Sequence, residues 1–369
     1  MLKIHWFLPT GGDARDVLPD ASDPHRRPPS LPYLAQVATA CDALGYDGML
    51  TPCGTGCEDA WLATASLLAL TRRVKFLVAF RPALLSPTLA AQMASTYQRL
   101  SDGRLLVNIV TGAEPAELGR FGVWEDKATR YDRTGEFIEI MRGAWSGEPF
   151  DYSGAHYRVE AATTRDVPSP VPRIYFGGAS DSAERIAAQH VDVYLAWGET
   201  PEMVSERLAR MRKLALSFGR ELDFGIRFHV IARPTADEAW AAADALVARM
   251  APEAIAAAQA DFAGTQSVGQ ARMASLHGGD PSKLVVYPNI WAGVGLVRGG
   301  VGTALVGSYS EVADRIAEYA DLGFGEFILS GYPHLEEAYW FGEGVMPELR
   351  RRGLLPDLEG PSAPVFSFR

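Results

Sequence analysis

The stretch Gly225-Ile226-Arg227-Phe228-His229-Val230-Ile231 is typical of a buried β-strand, yet it carries two basic side chains. Side chains alternate across a strand, so Arg227 and His229 are predicted to project from the same face. Two basic groups on one face of an apolar strand need an anionic partner, because their desolvation is otherwise costly. That partner is either a bound anion or a carboxylate from a neighbouring strand, and the stretch alone leaves both possibilities open.

This strand is one of eight short apolar runs that alternate with helical patterns along the whole chain. Val, Ile, Leu and Phe runs that are each followed by a helix are typical of a parallel sheet buried on both faces. Eight of them in 369 residues predict an α/β fold of the (β/α)8 TIM-barrel class. An open doubly wound sheet is the alternative, but the first strand is not followed by a G-x-G-x-x-G turn. The predicted strands are residues 4–8, 47–51, 74–80, 105–110, 173–176, 191–196, 224–232 and 324–330.

About ninety residues separate the seventh predicted strand from the eighth, far more than a crossover needs. We therefore expect a single domain over residues 1–369 with an insertion over about residues 235–310, whose first helix is capped by Thr235. Residues 291–304 contain five glycines and Arg298, a composition unsuited to a helix or a stable strand. This segment is either a mobile lid that brings Arg298 to a bound anion or a plain connector, and its apolar flanks favour the lid.

Composition and charge limit the classes of partner. A formal net charge of -10 argues against nucleic acid and anionic membrane surfaces. No apolar run reaches membrane-spanning length and no signal-peptide pattern precedes the first strand, so we expect a cytoplasmic protein. The three cysteines (Cys41, Cys53 and Cys57) match neither a disulfide framework nor a zinc motif, and no metal is expected.

The carboxyl ends of the predicted strands are where a barrel enzyme builds its site. Gly177, Gly178 and Ser180 follow the fifth strand and precede a helix, so their backbone amides suit a phosphate. The same residues also suit a tight turn in which Ser180 is the N-cap. Trp197 ends the sixth strand, where it either stacks on a flat ligand or lines an apolar wall.

These stretches, taken in order, resemble the bacterial-luciferase-like flavin monooxygenases, and specifically the FMNH2-dependent alkanesulfonate monooxygenases. The resemblance extends from about residue 4 to about residue 345. The similar stretches are Trp6-Phe7-Leu8-Pro9-Thr10, Cys57-Glu58-Asp59-Ala60-Trp61, Phe76-Leu77-Val78-Ala79, Asn108-Ile109-Val110-Thr111-Gly112, Tyr175-Phe176-Gly177-Gly178, Asp192-Val193-Tyr194-Leu195-Ala196-Trp197-Gly198-Glu199, Phe224-Gly225-Ile226-Arg227-Phe228-His229-Val230-Ile231, residues 289–307 and Ser330-Gly331-Tyr332-Pro333-His334-Leu335-Glu336-Glu337-Ala338-Tyr339.

The resemblance implies a two-component monooxygenase that uses reduced FMN and O2 to cleave the C–S bond of a small organosulfonate. The products would be sulfite and an aldehyde, and a separate NAD(P)H-dependent FMN reductase would supply the reduced flavin. A homodimer or homotetramer is expected. The residues that match catalytic positions are Arg227, His229, Arg298 and Cys57. Those that match the sulfonate site are Trp197, Arg227, His229, Arg298, Tyr332 and His334. Those that match the FMN site are Asn108, Thr111, Tyr131, Gly177, Gly178 and Ser180.

The chain departs from the family pattern near one mouth of the predicted barrel. Gly11 stands where the family has a histidine, and Cys53, Thr55 and Gly56 stand where it has a threonine, an arginine and a serine. Residues 14–32 also depart from the family. These changes remove bulk and polar groups, so they would enlarge the pocket for a bulkier sulfonate or weaken oxygen activation on the flavin.

Three other interpretations remain open at this point. The chain could oxidise another organosulfur compound such as a sulfone or sulfinate, or be a non-catalytic flavin-binding relative. The third is a deazaflavin-dependent hydride transferase on the same fold, which would leave Arg227, His229 and Arg298 without an explanation.

Overall fold

A computed structural model describes residues 1–19 and 22–357. In chain order its strands are β1 (Lys3–Phe7), β2 (Gly48–Thr51), β3 (Lys75–Phe80), β4 (Leu105–Ile109), β5 (Phe150–Ser153), β6 (Arg158–Ala162), β7 (Ile174–Gly177), β8 (Val193–Trp197), β9 (Asp223–Arg233), β10 (Val285–Tyr287), β11 (Ile290–Trp291), β12 (Ala304–Ser308) and β13 (Glu326–Ser330). Its helices are α1 (Leu31–Leu44), α2 (Ala60–Leu67), α3 (Pro87–Ser101), α4 (Pro115–Arg120), α5 (Lys127–Ala144), α6 (Asp181–His190), α7 (Pro201–Ser217), α8 (Ala236–Ala248), α9 (Pro252–Ala263), α10 (Val268–His277), α11 (Tyr309–Leu322), α12 (His334–Trp340) and α13 (Met346–Arg351).

Eight of these strands form a closed parallel barrel. They pair in the order β1, β2, β3, β4, β7, β8, β9 and β13, and β13 pairs with β1 to close the ring. The predicted (β/α)8 TIM barrel is therefore confirmed, and each predicted strand is present with ends within two residues of those expected. Side chains such as Leu77, Leu106 and Ile328 fill the interior, while the outer faces of the strands pack against the helices.

The amino end of the barrel is closed by a buried carboxylate that sequence analysis did not single out. Glu326 accepts hydrogen bonds from Lys3 Nζ at 2.8 Å, Arg173 Nη1 at 2.9 Å and the Tyr175 hydroxyl at 2.8 Å. His5 Nε2 lies 3.1 Å from the same carboxylate. Burial alone would raise the pKa of Glu326, but the hydrogen bonds and charges of His5 and Lys3 outweigh it and hold that pKa well below its usual value. The network is at the end of the barrel opposite to that of known TIM-barrel active sites, which indicates a stabilising role.

The long segment between β9 and β13 extends the wall of the barrel. Thr235 caps α8 as predicted, in a reciprocal arrangement with Glu238. Near the end of the segment, β12 runs parallel to the second half of β9, so that Ala304 pairs with His229. The backbone amides of Asp223 and His229 point to the same edge of β9. The Asp223 amide donates to Asp192 O, just before β8, and the His229 amide donates to Thr303 O, just before β12. The insertion thus continues the edge of the barrel at the point where β8 ends.

The glycine-rich residues 291–304 are packed, with Trp291, Leu296 and Val301 buried. Gly293–Leu296 forms one turn of 3₁₀ helix, which the composition did not predict. Gly302 crosses Gly295 at a distance that requires glycine, because a Cβ on Gly302 would lie 2.6 Å from the Gly295 Cα. The role of this segment as a mobile lid stays a prediction.

Two further sequence expectations concern the whole chain. The expected single domain of residues 1–369 includes residues 20, 21 and 358–369, which lie outside the described part. Among the residues described, none of the helices has the length and hydropathy needed to span a bilayer.

Candidate active site

A cavity of about 280 Å³ opens at the carboxyl end of the barrel. All six residues that match the FMN site line it, as do Trp197 and Arg227. Their convergence follows from the topology, because parallel strands and the loops after them end at one mouth of the barrel. Sequence analysis missed other lining residues, namely Leu50, Lys127, Arg130, Leu195, Gln266, Ser267, Gly269 and Ile328.

One corner of the cavity brings together several hydrogen-bond donors. Ser180 is the N-cap of α6, since its Oγ accepts a hydrogen bond from Ala183 N at 3.4 Å, while its own hydroxyl proton stays available. The Nε of Arg130 is buried and has no partner among the described residues. Gly178 has a φ of +143°, and a Cβ there would lie 2.6 Å from the Ala183 Cβ. A helix N-terminus, a guanidinium and the ammonium of Lys127 give this corner the chemistry of a phosphate site.

The start of α10 covers the cavity, and we call residues 266–269 the roof. Gly269 lies against Trp197, so that a Cβ on Gly269 would lie 3.1 Å from the indole Cζ3. The buried carboxylate of Glu199 accepts hydrogen bonds from Arg207 at 2.8 and 2.9 Å and from Arg272 of α10 at 2.7 and 2.6 Å. Glu199 therefore ties the helix that carries the roof to the barrel.

Arg227, His229 and Arg298 form a basic cluster beside this cavity. The Ser330 hydroxyl lies 2.8 Å from His229 Nδ1 and accepts a hydrogen bond from Arg227 Nη2 at 3.4 Å, which places both side chains on one face of β9 as predicted. Arg298 Nη1 lies 3.3 Å from His229 Nε2. The guanidinium carbons of Arg227 and Arg298 lie 4.6 and 5.8 Å from the centre of the Phe7 ring.

No carboxylate pairs with either guanidinium within residues 1–19 and 22–357, so among these residues the neighbouring-strand carboxylate considered above is absent. Arg227 Nη1 is buried without a hydrogen-bond partner in the same part of the chain. Burial and the charge of Arg298 lower the pKa of Arg227 to about 9. Burial, Arg298 and Arg227 together hold the pKa of His229 well below its usual value, so its imidazole is neutral. Within the described part of the chain the cluster is therefore a positively charged site whose guanidiniums pair with no carboxylate.

Tyr332 and His334 complete the wall of the basic cluster. The Tyr332 ring stacks on His229 with a centroid distance of 5.5 Å and meets the edge of the His334 ring at 5.4 Å. His334 Nδ1 lies 2.8 Å from Asp13 Oδ1, and the His334 backbone N donates to Asp13 Oδ2 at 2.9 Å. The Tyr33 hydroxyl also donates to Asp13. Sequence analysis missed Asp13, which is separated from His334 by 321 positions.

Cys57 is half-buried and is not among the residues that line the cavity. Burial raises the pKa of its thiol. Gly11 does not open a wide space beside it, since a Cβ there would lie 3.1 Å from Gly56 O and 3.8 Å from Cys57 Sγ. Gly56 does face open space, with no atom within 4 Å of an added Cβ.

Comparison with known proteins places this geometry in a family. Residues 2–326 match the family model described as luciferase-like monooxygenase. Among solved structures, riboflavin lyase RcaE with modified FMN and riboflavin aligns with a TM-score of 0.79 at 21% identity, covering 96% of this chain and 93% of that one. DmoA from Hyphomicrobium sulfonivorans aligns with a TM-score of 0.80 at 20% identity, covering 97% and 89%. EDTA monooxygenase EmoA from Chelativorans sp. aligns with a TM-score of 0.76 at 19% identity, covering 96% and 95%. At these identities the similarity to solved structures shows the shared fold.

Proposed function

This chain belongs to the luciferase-like monooxygenase family, and we propose that it is a two-component flavin monooxygenase that cleaves the C–S bond of an organosulfonate. Reduced FMN and O2 would be its co-substrates, an NAD(P)H-dependent FMN reductase would supply the flavin, and the products would be sulfite and an aldehyde. One observation carries the choice of substrate: Arg227 and Arg298 meet the same Phe7 ring without a carboxylate among the described residues.

A sulfonate suits the basic cluster because it is a permanent anion with three acceptor oxygens. Planar guanidinium groups bind such an oxyanion through paired, charge-assisted hydrogen bonds, which an ammonium group cannot match. Arg227 has an N–H without a partner among the described residues for this purpose, and His229, whose Nε2 lies 3.3 Å from Arg298 Nη1, would help to hold the Arg298 guanidinium in place. An uncharged sulfone would leave both guanidiniums unpaired, which favours a charged substrate.

The residues around the cavity fit FMN. Arg130, Lys127 and Ser180 would bind its phosphate, while Leu195 and Ile328 offer apolar walls for its ring system. Asn108 would meet the edge of that ring. When bound, reduced FMN supplies two electrons and the site at which O2 is activated.

The roof has a separate task, which is to exclude water from the reacting groups. Water access would strengthen competing hydrolysis and weaken the electrostatic attraction that holds the anion. Arg227 and Arg298 would bind and orient the sulfonate and would not act as proton acceptors, because a guanidinium group offers only N–H donors.

The homo-oligomer expected from the family resemblance has a candidate surface. Leu62 of α2 and Leu89 and Leu100 of α3 are exposed on neighbouring crossovers of the barrel. We propose that this face pairs with a second copy of the chain, and light scattering after chromatography would test it by comparing the wild type with Leu62→Glu. A monomeric wild-type protein would contradict this part of the proposal.

The test of the function is sulfite release with FMN, NADH and a flavin reductase over a panel of alkyl, aromatic and sugar sulfonates, with sulfinates and sulfones included. Removing one charge-assisted partner of a bound anion costs about 1.5–3 kcal/mol, so Arg298→Ala should lower kcat/KM for the best sulfonate by about 10- to 150-fold. FMN affinity should not change, because Arg298 does not line the flavin cavity.

Arg249→Ala is the matched control, since Arg249 belongs to the same insertion but pairs with Asp16 on the surface. It should leave kcat/KM unchanged. Sulfite from no member of the panel, with FMN binding intact, would refute the proposed function. Sulfite from sulfinates alone would replace the substrate class and keep the reaction type.

A further inference from the structure

We propose that His334, oriented by Asp13, accepts the proton that the carbon bearing the sulfonate loses as the aldehyde forms. The inference rests on the proposed desulfonation and adds the group that takes this proton. Asp13 is a positioning residue in this scheme, and His334 is the group that meets the substrate.

The balance of the reaction requires such a group. A primary sulfonate RCH2SO3−, O2 and FMNH2 give RCHO, HSO3−, FMN and H2O. FMNH2 and the substrate each give two electrons to O2, one oxygen atom enters the aldehyde, and the other leaves as water. The C–S electron pair leaves with sulfur, the C–H electron pair becomes part of the new C=O bond, and the hydrogen of that C–H bond leaves as a proton.

The basic cluster itself offers no free proton acceptor. Arg227 and Arg298 are cations whose nitrogens already carry protons. Both ring nitrogens of His229 are engaged, since Nδ1 lies 2.8 Å from the Ser330 hydroxyl and Nε2 lies 3.2 Å from Val301 O and 3.3 Å from Arg298 Nη1. The tautomer of His229 decides which of these contacts are hydrogen bonds, but neither nitrogen is left over.

His334 differs because one of its ring nitrogens is unused. Its Nδ1 faces Asp13 at 2.8 Å, while Nε2 is buried and has no partner among the residues the structure describes. An ionised carboxylate only accepts hydrogen bonds, so in a neutral His334 the proton must be on Nδ1 and the lone pair on Nε2. A buried lone pair without a donor is costly unless a ligand supplies one.

The surroundings of Asp13 favour its ionised carboxylate form. Its two oxygens accept hydrogen bonds from the His334 ring and backbone, from the Ala14 backbone at 2.9 Å and from the Tyr33 hydroxyl. Burial alone would raise the pKa of the Asp13 carboxyl, but its contacts with the ring and backbone of His334 and with the Tyr33 hydroxyl hold that pKa below its usual value. The carboxylate therefore fixes both the orientation and the tautomer of the ring.

His334 also shares its surroundings with the guanidiniums. Its ring centroid lies 5.5 Å from that of Phe7, the same ring over which the Arg227 guanidinium lies at 4.6 Å. The Tyr332 ring contacts both the His334 ring, at 5.4 Å between centroids, and the Arg298 guanidinium, at 5.9 Å. In the proposal, a sulfonate bound by the two arginines has its first carbon beside the aromatic wall that His334 helps to form.

The first test reads the tautomer in the ligand-free protein and needs no turnover. Nitrogen-15 NMR of the histidine rings, with the His334 signals identified by their loss in His334→Gln, should show a protonated Nδ1 and a bare Nε2 in the neutral form of the His334 ring. Asp13→Asn should abolish this preference, because an amide can also donate to Nδ1. A proton on Nε2 in the neutral wild-type ring would overturn the inference.

The second test uses an alkanesulfonate deuterated at its first carbon. His334→Gln should lower kcat by about 10²- to 10⁴-fold, the usual contribution of a general base, and should raise the isotope effect on kcat because C–H cleavage becomes limiting. The KM of the sulfonate and FMN affinity should stay near their wild-type values. Imidazole added to His334→Ala should restore part of the rate, and Asp13→Asn should lower kcat without raising KM.

His156→Gln in the β5–β6 hairpin is the control histidine and should behave as wild type. Wild-type turnover and isotope effect in His334→Gln, with an active wild-type enzyme, would overturn this inference alone. Absence of sulfite from the wild type would overturn both this inference and the proposed function.

Discussion

Replacement of Glu199 by glutamine should destabilise the protein strongly and loosen the roof. The Glu199 carboxylate is 1% exposed and accepts four hydrogen bonds, two from Arg207 and two from Arg272. In Glu199→Gln one acceptor oxygen becomes an NH2 group that faces guanidinium N–H donors. The change therefore removes both the charge and about half of the acceptor capacity while leaving the size of the side chain unchanged.

The expected loss of folding stability follows from the charge of Arg207, which remains buried after the substitution. Arg207 is 4% exposed, so after the substitution its charge has no compensating partner in the described part of the chain. Breaking a buried ion pair by removing one partner costs about 3–5 kcal/mol. With an m-value of about 3 kcal/mol/M, the urea midpoint should fall by about 1 M or more.

Arg272→Ala separates the loss of folding stability from the loosening of the roof. The Arg272 side chain is 36% exposed, and without it Glu199 keeps Arg207 as a partner. Its loss should cost only about 1 kcal/mol because of solvent screening. It also unties the helix that carries the roof, so FMN affinity should fall in both variants.

The assay is urea unfolding followed by circular dichroism, together with FMN titration by flavin fluorescence. Glu206→Gln, an exposed position on the same helix as Arg207, is the control and should change neither quantity. A midpoint for Glu199→Gln within error of wild type at an unchanged m-value would refute the reasoning. Unchanged FMN affinity in both variants would show that the tie does not hold the roof.

Three further outcomes are expected. Because the folded-state pKa of Glu326 is depressed, the Glu326 carboxylate stabilises the folded protein above about pH 4.5, and this stabilisation is lost as the pH falls below that value. In urea midpoints measured against pH, Glu326→Gln should therefore lack this part of the acid sensitivity. Arg130→Ala should raise the FMN dissociation constant by about tenfold or more, measured by fluorescence titration, because a buried donor at the phosphate corner is lost. Gly198→Ala should lower stability by about 1–3 kcal/mol in urea unfolding, since its Cβ would lie 2.2 Å from Phe228 Cε1, whereas Gly56→Ala should be neutral.

Most of the barrel could be predicted because the sequence pattern of each strand and helix is contained in a few neighbouring residues. Each barrel strand is a short apolar run next to a helical pattern, and burial on both faces forces that composition wherever the chain folds. The lining residues at the strand ends were predictable for a related reason, since the carboxyl ends of parallel strands always meet at one mouth. Asn108, Gly177 and Trp197 were found by this rule and by family resemblance together.

The parts that were missed depend on contacts between distant residues. Asp13 lies in a proline-rich, charged segment that resembles a solvated loop, and only the folded chain brings it to His334. Lys127 and Arg130 occur on a helix whose charged residues would ordinarily face water. The β5–β6 hairpin was missed because half of its residues are exposed and lack a continuous apolar run.

Because β12 extends the barrel edge, the residues around the candidate site come from two separate parts of the chain. Cavity-lining residues that we propose hold FMN, such as Asn108, Tyr131 and Ser180, come from the eight-stranded ring and its own crossovers. Arg298 comes from the inserted segment, which is joined to the ring through the second half of β9. Exchange of residues 234–308 between relatives would therefore replace Arg298 and the roof together, while keeping the walls of the cavity that the ring and its own crossovers supply. The inserted stretch is therefore one contiguous part of the gene in which a guanidinium of the basic cluster and the cover of the cavity change together.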